Sequence, residues 1–162
     1  MSPKYHVIYG FIFSLILWLI FPEIGVLGFS LTFLSSVFID LDHAVRYSIK
    51  TGNFNPIKFW KWSKKEELSG EEIRECQYPQ FIFHGVEFVV VLAILAFYFS
   101  FVKFILIGVV FHLILDYIWL INKGQPMGIK LSQVYVYRRN LRCPPRKPVK
   151  KQPRKKLPRQ AK

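Results

Sequence analysis

The apolar residues of this chain collect in three long runs rather than being scattered. The runs extend over residues 5–21, 24–39 and 81–120. The last run carries only three charged side chains, Glu87, Lys103 and Asp116. As a single helix it would be about 60 Å long, roughly twice the hydrocarbon thickness of a bilayer. It must therefore fold back on itself, and Ser100 to Lys103 is the natural turn.

This pattern predicts an all-α integral membrane bundle of four transmembrane helices. The predicted spans are residues 5–22, 24–41, 81–99 and 102–121. Helices satisfy their backbone polar groups within one segment, as lipid requires, and the alternation of barrel strands is missing. A hydrophobic share of 52% is also too high for a soluble domain of 162 residues. We assign residues 1–130 to this transmembrane domain, with a cytoplasmic loop over 42–80.

Basic residues set the expected orientation. Of the 23 Lys and Arg, one precedes the first span, seven lie in the 42–80 loop, one is Lys103, and fourteen follow the fourth span. By the positive-inside rule, both termini and the long loop are cytoplasmic. The sequence thus predicts a multi-pass protein of the cell (inner or plasma) membrane.

The segments outside the spans are polar and basic. Aromatic and Lys residues interleave over 58–65, which is typical of an interfacial segment, and the loose alternation of residues 129–137 fits a short strand or a second interfacial segment. We predict that residues 131–162 form a basic, largely disordered cytoplasmic tail, because 138–162 carry twelve basic residues, five prolines and no acid. Such a tail favours anionic lipid headgroups over nucleic acid, since no nucleic-acid-binding motif accompanies it. The sequence identifies no protein partner.

Ionisable residues from all four spans are predicted to meet on the cytoplasmic side. They are His6 at the start of the first span, Asp40, Asp42 and His43 at the end of the second, His84 at the start of the third, and His112 with Asp116 in the inner half of the fourth. An ionisable side chain at a membrane helix centre costs roughly 2.5–3.5 kcal/mol on insertion scales, so such groups are expected to be paired, metal-bound or hydrated. His112 and Asp116 are four residues apart, and His84 and Glu87 three apart, so each pair is expected to share a helix face.

Imidazoles mixed with carboxylates suit Zn, Mn or Fe, and a carboxylate-rich subset suits Mg. The same groups also fit a simpler interpretation, in which they cap helix ends or form interhelical hydrogen bonds. Under that alternative the chain is a non-catalytic multi-pass protein whose basic tail binds lipid or a partner. Transport through the bundle is less well supported, because polar groups confined to one leaflet provide no continuous path.

The order and spacing of these motifs resemble a known family. The carriers of the resemblance are His6, Asp40-Leu41-Asp42-His43 with Arg46 close behind, His84, His112-Leu113-Ile114-Leu115-Asp116, and Gly124. Together they are similar to the bacterial and archaeal membrane-bound metal-dependent hydrolases, also described as LexA-binding, inner-membrane-associated hydrolases. The chain departs from that pattern before His84, where Pro79, Gln80 and Phe81 replace the family's His-Arg-Gly.

These observations lead to a functional hypothesis. We expect one or two divalent metal ions at the cytoplasmic interface and hydrolysis of an ester or phosphoester, with lipids among the candidate substrates. The expected ligands are His6, Asp40, His43, His84, His112 and Asp116, with Asp42 as a bridging or an outer carboxylate. Glu87 is predicted to accept or relay a proton, and Arg46 to clamp a phosphate.

Overall fold

The computed structural model describes residues 3–69, 81–124 and 131–142; for Pro3, Lys50 and 63–69 it describes the backbone only. Within these ranges the chain is all-helical, as predicted. The helices are α1 (Pro3–Ile20), α2 (Gly25–Phe38), α3 (Leu41–Thr51), α4 (Pro56–Ser69), α5 (Val86–Tyr98), α6 (Val102–Asn122) and α7 (Gln133–Arg142). Short 3-10 turns, Pro22–Ile24 and Ile82–His84, precede α2 and α5.

Helix α6 is the centre of the packing. It contacts α1, α2 and α5, and α1 also packs along α2. Buried apolar side chains of α5 and α6 form the core together with Ile39, which follows α2. Helices α3 and α4 form a separate hairpin, joined by the rings of Tyr47, Phe59 and Trp62 at centroid distances of 5.4–6.5 Å.

Small residues let α1 and α6 approach α2 closely. A Cβ atom at Gly108 would collide with the backbone oxygen of Thr32 and with Ser35, and one at Gly10 would collide with the Ser36 side chain. Close backbone approach at small residues is a common way for apolar helices to associate. Three helices therefore converge at the level of Ser36, in the last turn of α2.

Among the described helices, two are long and apolar enough to cross a membrane. They are the continuous helical stretch Pro22–Ile49 and the single helix Val102–Asn122. The two other apolar helices, Lys4–Ile20 and Val86–Tyr98, are shorter. At 1.5 Å per residue, α6 is about 31 Å long, close to the thickness of a hydrocarbon core, whereas α5 is only about 20 Å long.

The structure differs from the predicted elements in three places. The predicted cytoplasmic loop, 42–80, is helical over much of its first part. Only two residues separate α2 from α3, and α4 follows soon after. His84 does not share a helix face with Glu87; the extended backbone of Gly85 separates the Ile82–His84 turn from α5. Residues 133–142, which we assigned to the tail, form α7. Residues 70–80, 125–130 and 143–162, including most of the predicted basic tail, lie outside the described residues.

The close approach of α6 to α2 leads to a first prediction. Gly108→Leu is expected to lower the free energy of unfolding by about 1–3 kcal/mol, because overpacking forces the two helices apart. Thermal unfolding of the purified protein in detergent measures this effect. Ala93→Leu is the control, since Ala93 is exposed on α5 and should tolerate the larger side chain. Equal melting temperatures for the two variants would contradict the proposed packing.

Candidate metal centre

The structure brings six of the predicted ligands into one cluster, which we call the His/Asp cluster. Its members are His6, Asp40, His43, His84, His112 and Asp116. His6 lies in the first turn and a half of α1, Asp40 precedes α3, and His43 is in the first turn of α3. His84 ends the turn before α5, whereas His112 and Asp116 are one turn apart in the middle of α6. Four separate segments thus supply the cluster, because Asp40 and His43 belong to the same one.

The carboxylates of Asp40 and Asp116 lie between the imidazoles. Asp40 Oδ1 is 3.5 Å from both His84 Nε2 and His112 Nε2, and 3.7 Å from His43 Nε2. Asp116 Oδ2 is 3.7 Å from His84 Nε2 and His112 Nε2, and Asp116 Oδ1 is 3.3 Å from His6 Nε2. Four rings and two acids thus direct their polar atoms toward a shared space.

These distances suit shared coordination. Two ligand atoms bound to one tetrahedral cation at about 2.0–2.2 Å are about 3.3–3.6 Å apart. Three sets of donors have ligand atoms that all lie within 4.8 Å of one another: His6 with Asp40 and His112, Asp40 with His43 and His84, and His84 with His112 and Asp116. Each set could hold a metal ion. Because the sets share members, they form one continuous donor array.

Two of the imidazoles are oriented by a contact at Nδ1, the ring nitrogen that does not face the cluster. His112 Nδ1–H donates to the Ser36 carbonyl oxygen at 2.7 Å, which can only accept. Ser36 is in the last turn of α2, where helix carbonyls lack intrahelical partners. His84 Nδ1 is 2.9 Å from Asp42 Oδ2, which also accepts a 3.4 Å hydrogen bond from the Phe83 backbone N–H. In neutral rings, these bonds leave each Nε2 with its lone pair directed at the cluster, the arrangement typical of metal-ligating histidines.

At Nε2, His6 and His112 lie beside carboxylates but make no hydrogen bond within the described residues. Both nitrogen atoms are buried. The two rings stack at a centroid distance of 3.9 Å with an interplanar angle of 15°. Buried polar atoms are normally satisfied, so nitrogens held beside carboxylates without a hydrogen bond indicate a missing binding partner. A cation would fill that role.

The cluster is buried on the side of the bundle and partly exposed on the side of α3. His6, His84, His112 and Asp116 are each at most 1% exposed, whereas the side chains of His43 and Asp40 are 27% and 14% exposed. The rings of Phe81 and His43 pack against each other, with centroids 4.0 Å apart and planes tilted by 35°. The Arg46 guanidinium lies 5.6 Å from the centre of the Phe81 ring. His43 and Asp40 are therefore the members of the cluster most accessible to solvent.

Glu87 and Asp42 are predicted site residues that lie outside the three donor sets. Asp42 contacts His84 Nδ1 and belongs to none of the three donor sets, and its predicted role as a bridging or an outer carboxylate stays a prediction. Glu87 accepts hydrogen bonds from Ser132 Oγ at 2.5 Å and from the backbone N–H groups of Gln133 and Val134 at 3.1 Å each. Its carboxylate therefore caps the start of α7. The predicted proton relay through Glu87 stays a prediction.

Several residues that pack around the cluster were not predicted from the sequence. The spacing of three of them could have revealed their position. Gly10, Ser36 and Gly108 each lie four residues from a cluster member, namely His6, Asp40 and His112. A small residue one turn from each polar residue indicates that the helices touch just beyond the site. By contrast, nothing in the sequence indicated that Ser132 and Gln133 would pack against the segment that carries His84, because that contact joins residues about 50 positions apart.

The contact between Asp42 and His84 leads to a second prediction. Asp42→Ala is expected to weaken Zn²⁺ binding by about 10–100-fold, because the loss of an outer partner leaves the ligating imidazole poorly oriented. Titration against a competing chelator measures the affinity. Glu23→Ala is the control, since Glu23 is an exposed acid in the turn between α1 and α2. Unchanged affinity in Asp42→Ala would show that this contact does not orient His84.

Comparison with known proteins does not assign the chain to a family. No protein-family model, curated protein or solved structure matches it. The chemistry of the His/Asp cluster and the distribution of polar and apolar surface are thus the basis for inferring a function.

Proposed function

We propose that this chain is an integral membrane, metal-dependent hydrolase that acts on an ester or phosphoester at the cytoplasmic interface. The observation that carries the proposal is the His/Asp cluster, in which donors from four segments surround one buried space. Burying ionisable groups costs free energy, and a cluster of such groups with a partly exposed side is a candidate functional site. Lipids are candidate substrates because the exposed side would lie at the membrane surface.

The distribution of polar and apolar side chains supports a membrane environment. The most deeply buried side chains are largely polar and include His6, Ser14, Thr32 and Asp116. Large apolar side chains point outward on the helices, for example Leu27 at 65% and Phe97 at 86% exposure. Soluble monomers rarely expose apolar surface continuously, whereas lipid-facing surfaces are apolar. This inverted arrangement favours four spans formed by α1, α2, α5 and α6.

The topology we propose follows from the charges. Both termini, the α3–α4 hairpin and the basic tail lie in the cytoplasm, and the turns at Glu23 and Ser100 lie on the opposite side. The cluster is then beneath the cytoplasmic headgroups, on the same side of the membrane as Lys58 and Lys61 of α4. Those cations would attract anionic lipid headgroups, each contributing on the order of 1 kcal/mol near the surface.

The donors in the cluster fit a divalent cation that binds both nitrogen and oxygen ligands. Mixed imidazole and carboxylate donors favour Zn, Mn or Fe, and a subset weighted toward Asp40 and Asp116 would also accept Mg. When bound, such a cation supplies the Lewis acidity that makes water nucleophilic near neutral pH. The contacts of His84 with Asp42 and of His112 with Ser36 keep both imidazoles aimed at the cluster. Arg46, on the partly exposed side, would bind an anionic oxygen of the substrate.

The resemblance to membrane-bound metal-dependent hydrolases is consistent with this proposal. The motifs that carry the resemblance supply all members of the His/Asp cluster. The residues before His84 depart from that family's pattern, and in this chain Phe81 packs against His43 instead of offering a polar side chain. We therefore propose the reaction class and leave the substrate to experiment.

Metal content tests the proposal directly. Purified wild-type protein is expected to contain at least one tightly held divalent ion per chain, and His112→Ala and Asp116→Ala are expected to lose most of it, because each removes a buried donor. Elemental analysis by mass spectrometry measures the content. Chelation should abolish hydrolysis of chromogenic esters or phosphoesters and of fluorescent phospholipids, and adding back the metal should restore it.

Glu23→Ala is again the matched carboxylate control and should retain metal and activity. Wild-type protein free of metal under all conditions, or variants with undiminished metal, would remove the hypothesis of a metal centre. Metal bound without hydrolysis of any of these substrates would favour the non-catalytic alternative, in which the cluster has a structural role.

The proposed four-span topology gives a separate prediction. In a background with Cys76→Ser and Cys143→Ser, single cysteines at Glu23 and Ser100 should react with an impermeant maleimide added to intact cells. A cysteine at Asn53 should react only after permeabilisation, because it lies in the cytoplasmic hairpin. Labelling is read by gel shift, and reaction of Asn53→Cys in intact cells would contradict the topology.

A further inference from the structure

The N-terminus of α7 is docked onto the segment that carries His84. Glu87 Oε1 accepts hydrogen bonds from Ser132 Oγ and the Val134 N–H, and Glu87 Oε2 accepts from the Gln133 N–H. Ser132 Oγ in turn accepts from the Tyr135 N–H at 3.1 Å. The first three N–H groups of α7 are thus satisfied, two of them by a residue of α5. A carboxylate at this end of a helix also complements the positive end of its dipole.

A second contact joins α7 to the same segment. Gln133 Oε1 accepts a 2.7 Å hydrogen bond from the Phe81 backbone N–H. A Cβ atom at Gly85 would collide with Gln133 Cγ and with the Glu87 carboxylate, so a larger residue would displace both side chains of this contact. Val136, one turn into α7, is 1% exposed, which indicates that the helix is packed and not merely tethered. We call these contacts of Glu87 and Phe81 with residues 132–134 the α7 clasp.

The α7 clasp and Asp42 hold opposite parts of one short segment. The clasp fixes residues 81 and 87, and Asp42 binds the imidazole of His84 and the N–H of Phe83 between them. His84 is in a 3-10 turn outside α5, so the helix itself does not fix its direction. Phe81, held by the clasp, also lies against the ring of His43. The clasp therefore braces the backbone that presents His84, and it also holds the residue whose ring lies against His43.

We propose that Glu87 is a positioning residue of the metal centre, which acts through the α7 clasp to aim His84 at the cluster. This inference rests on the proposed function, because it requires that the cluster binds a cation. It gives α7 a defined role, since a helix beyond the last predicted span braces a turn at the site. It also replaces the proton relay with a role that accounts for all three hydrogen bonds accepted by Glu87.

Metal affinity of the full-length protein tests the inference. Glu87→Ala is expected to weaken binding of Zn²⁺ and Co²⁺ by about 10–100-fold without changing the number of ions bound at saturation, because the ligands remain but one is misaligned. The visible absorption spectrum of bound Co²⁺ should shift, since it reports ligand geometry. Glu87→Gln keeps acceptor oxygen at the same position and should recover a large part of the affinity.

Two further comparisons separate the clasp from general loss of stability. Ser132→Ala removes one bond of the clasp and should weaken binding in the same direction but less than Glu87→Ala. Combining it with Glu87→Ala should add little, because both changes break the same contact, whereas variants at independent sites add. Glu23→Ala is the matched control and should bind as wild type. If Glu87→Ala does not fold, Ser132→Ala and Gln133→Ala carry the test.

The outcomes distinguish this inference from the proposed function. Wild-type protein that binds neither metal would remove the proposed function, and this inference with it. Metal bound by wild type and by Glu87→Ala with equal affinity and identical Co²⁺ spectra would overturn the positioning role alone. Lost hydrolysis with unchanged affinity and spectrum would instead return Glu87 to a catalytic role and also overturn it.

Discussion

The structure depends on how polar groups are satisfied where apolar helices cross. His6, His84, His112 and Asp116 are buried almost completely, and the surrounding helices offer them few partners other than one another. An apolar bundle cannot leave such groups unsatisfied without a large penalty. The His/Asp cluster therefore sets the register of the bundle, because sliding any one helix by a turn would remove its donor from the shared space.

The sequence contained most of the information needed to find these donors. Apolar runs predicted the helices that correspond to α1, α2, α5 and α6. Because consecutive helices run in opposite directions, the sequence also placed His6, Asp40, His84 and His112 near one end of the bundle. It could not show that Gly85 breaks the third run, so that His84 precedes α5. Nor could it show that α7 returns to Glu87, since the pairing of distant segments depends on packing that local periodicity does not encode.

Close helix packing and site geometry are linked in this fold. Gly10 and Gly108 allow α1 and α6 to contact the last turn of α2, and the same approach brings the Ser36 carbonyl within hydrogen-bond distance of His112. The carbonyl is available because α2 ends two residues later. A helix end, two glycines and one backbone oxygen thus orient a ligand without any charged side chain. Such a contribution leaves little trace in the sequence beyond the spacing of small residues.

Charge balance gives a further reason to expect a cation. Asp40 and Asp116 bring two negative charges into the cluster, and neutral imidazoles do not offset them. Imidazoles that carried the balancing protons at Nε2 would have no lone pair there and could not bind a cation. One divalent ion supplies both positive charges at a single point and leaves every imidazole neutral. The His/Asp cluster is thus a donor set whose charge a single divalent cation would match.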